Sequence, residues 1–180
     1  MHALPSGRRF AAPLGVGMGV EPSAAMGRIA RRRGIVVVRG AAEALPFANG
    51  AFEGALFVTT ICFVDDLAAS LREAHRVLRP GGAILVGFVD RESPLGHEYA
   101  NRKAENPFYR TATFYSAGEL AGSMEREGFH GFAYAQTIFH PLDQIRDVEP
   151  TTEGHGRGSF VVMRAIKPGT ARLSATADSP

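Results

Sequence analysis

The amino-acid sequence predicts an α/β fold with a mostly parallel sheet and an antiparallel hairpin at its C-terminal end. Three observations carry this. Short apolar runs alternate with segments that are apolar at every third or fourth position, the pattern of strands joined by helices. Residues 51–87, AFEGALFVTTICFVDDLAASLREAHRVLRPGGAILVG, hold one complete strand-helix-strand unit, whose length suits a parallel crossover. The last two apolar runs are separated by a loop-rich stretch instead of a helix, which predicts an antiparallel pair at one edge.

Taken in order, residues 1–9 show no periodicity, and 10–14 read as the end of a short helix that Pro13 discourages from continuing. GVGMGVEPS (15–23) reads as a short strand ending in Glu21, with Pro22 suited to the first turn of the next helix. That helix is expected over 23–33, stopping at Gly34. IVVVR (35–39) is a β-branched strand, and 40–47 is a loop carrying one carboxylate, Glu43. The apolar run at 53–58 is a strand buried on both faces, with Thr59, Thr60, Ile61, Cys62 and Phe63 as its exit. Asp65 and Asp66 stand where a helix takes its N-cap and early negative charge. Leu67, Leu71, Ala74 and Leu78 then recur on one helical face. Pro80, Gly81 and Gly82 stop that helix ahead of a strand at 83–89.

Residues 90–115 mix charges with Leu95, Tyr99, Phe108, Tyr109, Phe114 and Tyr115, and 91–115 read as an irregular lid. Ser116 to Glu119 forms a capping box that starts a helix ending near Gly128. Strands follow at 132–139 and 159–166, separated by a loop-rich segment. Residues 1–167 therefore make one domain, and 168–180, small and polar, read as a disordered tail. Ligands of such sheets bind beyond the carboxyl ends of the strands, here at 59–63 and 90–93.

The bulk numbers narrow the function. With 180 residues, 45% hydrophobic and 21% charged, the chain can bury a real core. A net charge of +2 does not argue for nucleic acid. The dense basic run Arg31-Arg32-Arg33 falls at a helix end, where cations suit the dipole. No apolar run reaches spanning length and no secretory leader is visible, so the expectation is a cytoplasmic protein without membrane contact. The single cysteine, Cys62, excludes an internal disulfide framework and reads as a core thiol. His2, His75, His97, His130, His140 and His155 show no zinc-ligand spacing, so no metal is expected.

With these pieces in place the sequence resembles the class I S-adenosylmethionine-dependent methyltransferases, in particular the broad small-molecule group. GVEPS resembles that family's second strand with its terminal acid. GAAEALPFANGAFEGALFVTTICFVDD resembles the third-strand exit, linker and fourth strand, and LREAHRVLRPGGAILVG its next helix, turn and fifth strand. The late pair resembles the hairpin whose last strand inserts antiparallel.

The resemblance implies a Rossmann-like methyltransferase fold, S-adenosyl-L-methionine as cofactor and a small-molecule methyl acceptor as partner. It places the cofactor against Glu21, Pro22, Ala41, Ala42, Glu43, Thr59, Thr60 and Ile61. Glu21 would take the ribose hydroxyls, a carboxylate being able to accept two hydrogen bonds. Ala41, Ala42 and Glu43 would lie along the adenine. Many relatives carry aspartate where Ala41 stands, so an adenine contact is lost or passes to backbone. Thr59, Thr60 and Ile61 would lie below the methionine portion. The catalytic residues stay open, with His97, Tyr99, Tyr109 and His155 as lid-region candidates for a base.

One departure stands out. The family's first strand ends in a glycine-rich loop that lets the backbone approach the cofactor closely. Here residues 4–9 are Leu-Pro-Ser-Gly-Arg-Arg, with one glycine and too few residues before it for a strand. The expectation is an N-terminally truncated form whose cofactor binding is weakened. The vacant central slot would be closed by direct pairing of the strands at 16–21 and 54–58, or filled by the N-terminal residues. A degenerate domain without activity is the alternative function. A nicotinamide-dependent dehydrogenase fits the acid at Glu21 but not the glycine pattern.

Overall fold

A computed structural model describes residues 16–107 and 109–169. The chain begins with β1 (Met18–Val20), α1 (Ala24–Arg32) and β2 (Val36–Val38). β1 and β2 pair in parallel, Met18 opposite Val36 and Val20 opposite Val38. Ser23 caps α1 by accepting the Met26 amide. Arg31 closes the far end of the crossover, donating to the Val37 carbonyl at 2.8 Å. The basic run is thus spent at a helix end. Ala30, Ile35 and Val37 form a small core of their own.

The second sheet is built from β3 (Phe52–Val58), β4 (Leu78–Val89), β5 (His130–Thr137), β6 (Thr152–Glu153) and β7 (Phe160–Ile166) in the order β3-β4-β7-β5-β6. β3 and β4 are parallel, in register from Gly54 opposite Ala83 to Val58 opposite Gly87. Between them runs α2 (Leu67–Val77), capped by Asp66, which accepts the Ala69 amide. Its apolar face supplies Leu71, Ala74 and Val77, none of them exposed, against Phe57, Ile84 and Val86. α4 (Ala117–Arg126) adds Leu120 and Met124 to the same core. The expected capping box is present, Ser116 and Glu119 each holding the other's backbone amide.

Three departures from the sequence reading have physical causes. Helix α2 ends one residue earlier than its apolar spacing implies, and Leu78 already begins β4. The Lys167 ammonium supplies the missing cap from the other end of the chain, donating to the carbonyls of His75 and Leu78 at 2.8 and 2.7 Å. The Pro80-Gly81-Gly82 turn becomes a bulge in the β3–β4 ladder, between Phe52 and Gly54. At Gly82 a Cβ would meet the Arg79 carbonyl oxygen at 2.9 Å and that of Glu53 at 3.0 Å, so glycine is required there. The stretch read as irregular contains α3 (Pro94–Asn101), started by Ser93 as N-cap and Pro94 in the first turn. The late pair is antiparallel as expected, and its last strand, β7, inserts between β4 and β5 as the resemblance implies, with the two-residue β6 at the edge.

Direct pairing of β1 with β3 does not occur. Among the described residues they belong to separate sheets and share no ladder. The glycine-poor stretch at 4–9, the helix end read at 10–14 and nearly all of the tail at 168–180 lie outside the described residues, as does Phe108.

Candidate functional site

The carboxyl ends of β1, β2 and β3 converge on a cleft of about 140 Å³. Its walls are Val20 and Pro22 from the end of β1, Gly40 to Glu43 from the loop after β2, and Thr60, Phe63, Val64 and Asp65 from the exit of β3. A site enclosing a whole small-molecule ligand occupies roughly 300–1,000 Å³. At its volume this cleft has room for one portion of such a ligand.

Of the residues proposed from sequence, Pro22, Ala41, Ala42, Glu43 and Thr60 meet in this one cleft. Glu21 lies between two wall residues and is 4% exposed. Its Oε1 accepts the Ser23 amide at 2.8 Å, and its own amide donates to Val38. Thr60 is buried, with Oγ1 donating to the Val58 carbonyl. Ile61 does not line the cleft; it is 1% exposed and belongs to the core beneath it.

Thr59, also outside the wall, adopts φ +50°. That left-handed conformation costs a β-branched residue about 1–2 kcal/mol. The bond from its amide to the Gly87 carbonyl, 2.7 Å long, helps hold it there. Such strain at a strand exit is common where a chain must turn sharply beside a ligand.

Glu43 has a task the sequence did not reveal. Its Oε1 accepts the amide of Asp65 at 2.8 Å and that of Asp66 at 3.5 Å. The carboxylate thus joins the loop after β2 to the start of α2 and braces both walls of the cleft. A second brace lies about two to three turns further along α2. Arg76 donates to both oxygens of Glu73, to the carbonyls of Leu45 and Phe47, and to the Asn49 side chain, all within 2.9 Å. Glu73 in turn accepts the Leu45 amide. The hydrogen-bonded guanidinium holds the Glu73 carboxyl below its ordinary range. The spacing of Glu73 and Arg76 is visible in the sequence; their shared target, a loop some thirty residues upstream, is not.

Beyond the β3 exit the chain gathers aromatic rings. Tyr109 stacks with Tyr99 at 4.8 Å between centroids and with Phe63 at 6.3 Å, and Phe114 tilts against both tyrosines. The Thr113 amide donates to the Cys62 carbonyl at 2.8 Å and ties this segment to the strand exit. Burial pushes the Cys62 thiol up to about 11, which keeps it protonated at neutral pH and unlike an activated nucleophile. Burial, and then the neighbouring Tyr99, raises the Tyr109 phenol.

At the end of β4, Asp90 is 3% exposed and takes the amides of Glu92 and Ala117, fastening the start of the lid to the start of α4. Among the other base candidates, His97 lies in α3, and His155 packs its ring on Tyr134 at 4.7 Å, on the far side of the sheet order.

The sequence and fold have counterparts among other proteins. A family model described as a methyltransferase domain matches residues 8–86. A crystal structure from Thermotoga maritima, described as an S-adenosylmethionine-dependent methyltransferase and possible histamine N-methyltransferase, superposes with a TM-score of 0.86 at 49% identity, covering 88% of this chain and 76% of that one. The chain belongs to the class I S-adenosylmethionine-dependent methyltransferases. An uncharacterized protein of Methanocaldococcus jannaschii is 39% identical to this methyltransferase over 159 residues, 88% of this chain and 77% of the relative. One from Mycobacterium tuberculosis is 40% identical over 161 residues, 88% of this chain and 56% of the relative. The mixed sheet with a Rossmann-like layout is that of the family.

The cleft residues suit the adenosine end of the family's cofactor. Val20, Ala41 and Ala42 offer an apolar seat for a purine face, with a buried carboxylate beside it at Glu21. A Cβ at Gly40 would lie 3.2 Å from both Pro46 and Val20, so the loop after β2 packs closely on the end of β1 here.

Proposed function

We propose that this methyltransferase moves a methyl group from S-adenosylmethionine to a small-molecule acceptor in the cytoplasm. The observation that carries the reading is the meeting of Pro22, Ala41, Ala42, Glu43 and Thr60 in one cleft at the carboxyl ends of β1, β2 and β3. Glu21 would bind the ribose hydroxyls, and Ala41 and Ala42 would pack along the adenine. Thr59 and Thr60 would set the height of the strand exit under the methionine portion, with Ile61 fixing that exit from the core. Bound S-adenosylmethionine supplies a methyl group on a positively charged sulfur, which an acceptor lone pair displaces in line. Positioning can supply much of the rate of such a displacement. The chain's contribution is therefore to orient both molecules and to keep water from the reacting centre. Glu43 and the Arg76–Glu73 brace serve this by fixing the cleft walls before any ligand arrives.

A second reading, a methyltransferase-like domain without activity, draws on the missing ladder between β1 and β3. Titration calorimetry with S-adenosylmethionine separates the two. Micromolar affinity, followed by transfer of labelled methyl to a member of a metabolite panel, supports the first. A folded protein that neither binds nor transfers supports the second.

A further inference from the structure

We infer that the aromatic cluster around Tyr109 is the acceptor subsite, and that it selects a flat aromatic ring bearing a positive charge away from the reacting atom. This rests on the methyl-transfer reading above. Phe63 lines the cleft on one side and stacks on Tyr109 on the other. Tyr109 and Tyr99 line a neighbouring cavity of about 430 Å³, which lies within the size range of small-molecule sites. The Phe63–Tyr109 pair is thus the partition between the cleft and this cavity. The two ring planes are only 12° apart, and Phe63 leaves 42% of its surface exposed. A large ring open to water at a seam between two cavities is a surface for another ring to cover.

Charge decides what the ring carries. The cavity wall includes Glu98, Glu105 and Arg102. Arg102 approaches each carboxylate at 3.4 Å, so one guanidinium faces two carboxylates and one negative charge remains in excess. The faces of the two tyrosines add to the attraction for a cation. A cation close to the sulfonium of the methyl donor would be repelled. A cation beyond the partition, beside Glu98 and Glu105, keeps its distance from that charge while its ring spans toward the cleft.

The test is calorimetric titration of the intact chain with three probes of similar size: 2-phenylethylammonium, 2-cyclohexylethylammonium and phenylacetate. S-adenosylmethionine is titrated in parallel. The aromatic cation is expected to bind about fivefold to tenfold more tightly than either of the others. Its binding is also expected to quench tyrosine fluorescence, which no tryptophan masks in this chain. Tyr109→Ala is expected to abolish the preference for the ring. Tyr109→Phe, which preserves the packing, is expected to keep it. Glu98→Gln combined with Glu105→Gln is expected to abolish the preference for positive charge while leaving the ring preference. Equal affinity for all three probes, or none for any, overturns the inference even if S-adenosylmethionine binds. Ring-selective binding by a chain that does not bind S-adenosylmethionine sustains the subsite and removes the methyl-transfer reading instead.

Discussion

Replacing Gly96 with alanine tests how tightly the lid is built onto the sheet. Gly96 lies in the first turn of α3, directly over the end of β4. A Cβ at this position would stand 2.0 Å from the Asp90 carbonyl oxygen and 2.8 Å from Arg91 Cα, both backbone atoms that cannot swing aside. A comfortable carbon–oxygen contact is about 3.3 Å, so α3 must retreat by roughly 1.3 Å. That retreat strains the Ser93 cap on the Gly96 amide, now 3.0 Å, and the 2.6 Å bond from Ser93 Oγ to the same Asp90 carbonyl. Overpacking costs about 1–3 kcal/mol and a lost N-cap about 1 kcal/mol more. The expected destabilisation is about 3 kcal/mol, which lowers Tm by roughly 6–12 °C in a chain of this size. Differential scanning calorimetry measures it. A Tm within 2 °C of the wild type would show that α3 is not seated on the strand end, and the packing of Gly96 and Ser93 on Asp90 would fall with it.

Other outcomes are expected. The Cys62 thiol has its pKa raised from 9.0 to about 11 by burial, so the folded chain holds its proton more tightly than the unfolded one. That stability is complete below about pH 9 and is lost as pH rises toward 11, by about 2–3 kcal/mol. Cys62→Ala should flatten this part of the Tm–pH curve, and a curve of unchanged slope would contradict the burial. Gln136 is 3% exposed and its Oε1 accepts the amides of Arg157 and Gly158. Gln136→Leu strands both amides and should cost roughly 2–4 kcal/mol in urea unfolding. Arg76→Ala should release the loop at 45–50, seen as faster amide exchange at Leu45, with the rest of the sheet unchanged; equal protection in the variant would argue against the brace. The depressed carboxyls of Glu73, Glu119 and Glu149 hold their stabilisation above about pH 4.5, so acid unfolding should begin as pH falls below that value.

Much of this was legible in the sequence, and the limits follow from what local patterns encode. Leu71, Ala74 and the run from Ala83 to Val89 announce a helix and a buried strand because burial acts on each residue in turn. Glu43, Glu73 and Arg76 look like ordinary solvated charges, since their roles depend on backbone groups many residues away. Helix α3 is about two turns long and buries only Leu95 and Gly96, too little for an apolar stripe to show, although Ser93-Pro94 carries its start signal. Ile61 was read as facing the cofactor from its place in a strand exit; a 3-10 turn over Ile61–Phe63 directs it into the core and turns Phe63 outward. The strain at Thr59 has no signature in composition, because threonine is a common strand residue.

The division into two ladders has a further consequence for how the chain breathes. Among the described residues, α1 and β2 have a core of three buried residues, Ala30, Ile35 and Val37, whereas the larger core has nineteen and takes in Val20 of β1. Among the described residues the two ladders do not run into each other and Val20 is the buried residue of β1 that reaches the larger core, so the smaller unit is expected to open as its own cooperative block, ahead of global unfolding. Exchange at Val20 and Val38 should then be governed by this partial opening, while Phe57 and Val86 report the whole molecule. A nucleoside bridging Glu21 and Ala42 would be bound mostly by that looser block. Its affinity would be set by the closed fraction as much as by the contacts it makes, and its arrival would be felt first as a slowing of exchange in two short strands.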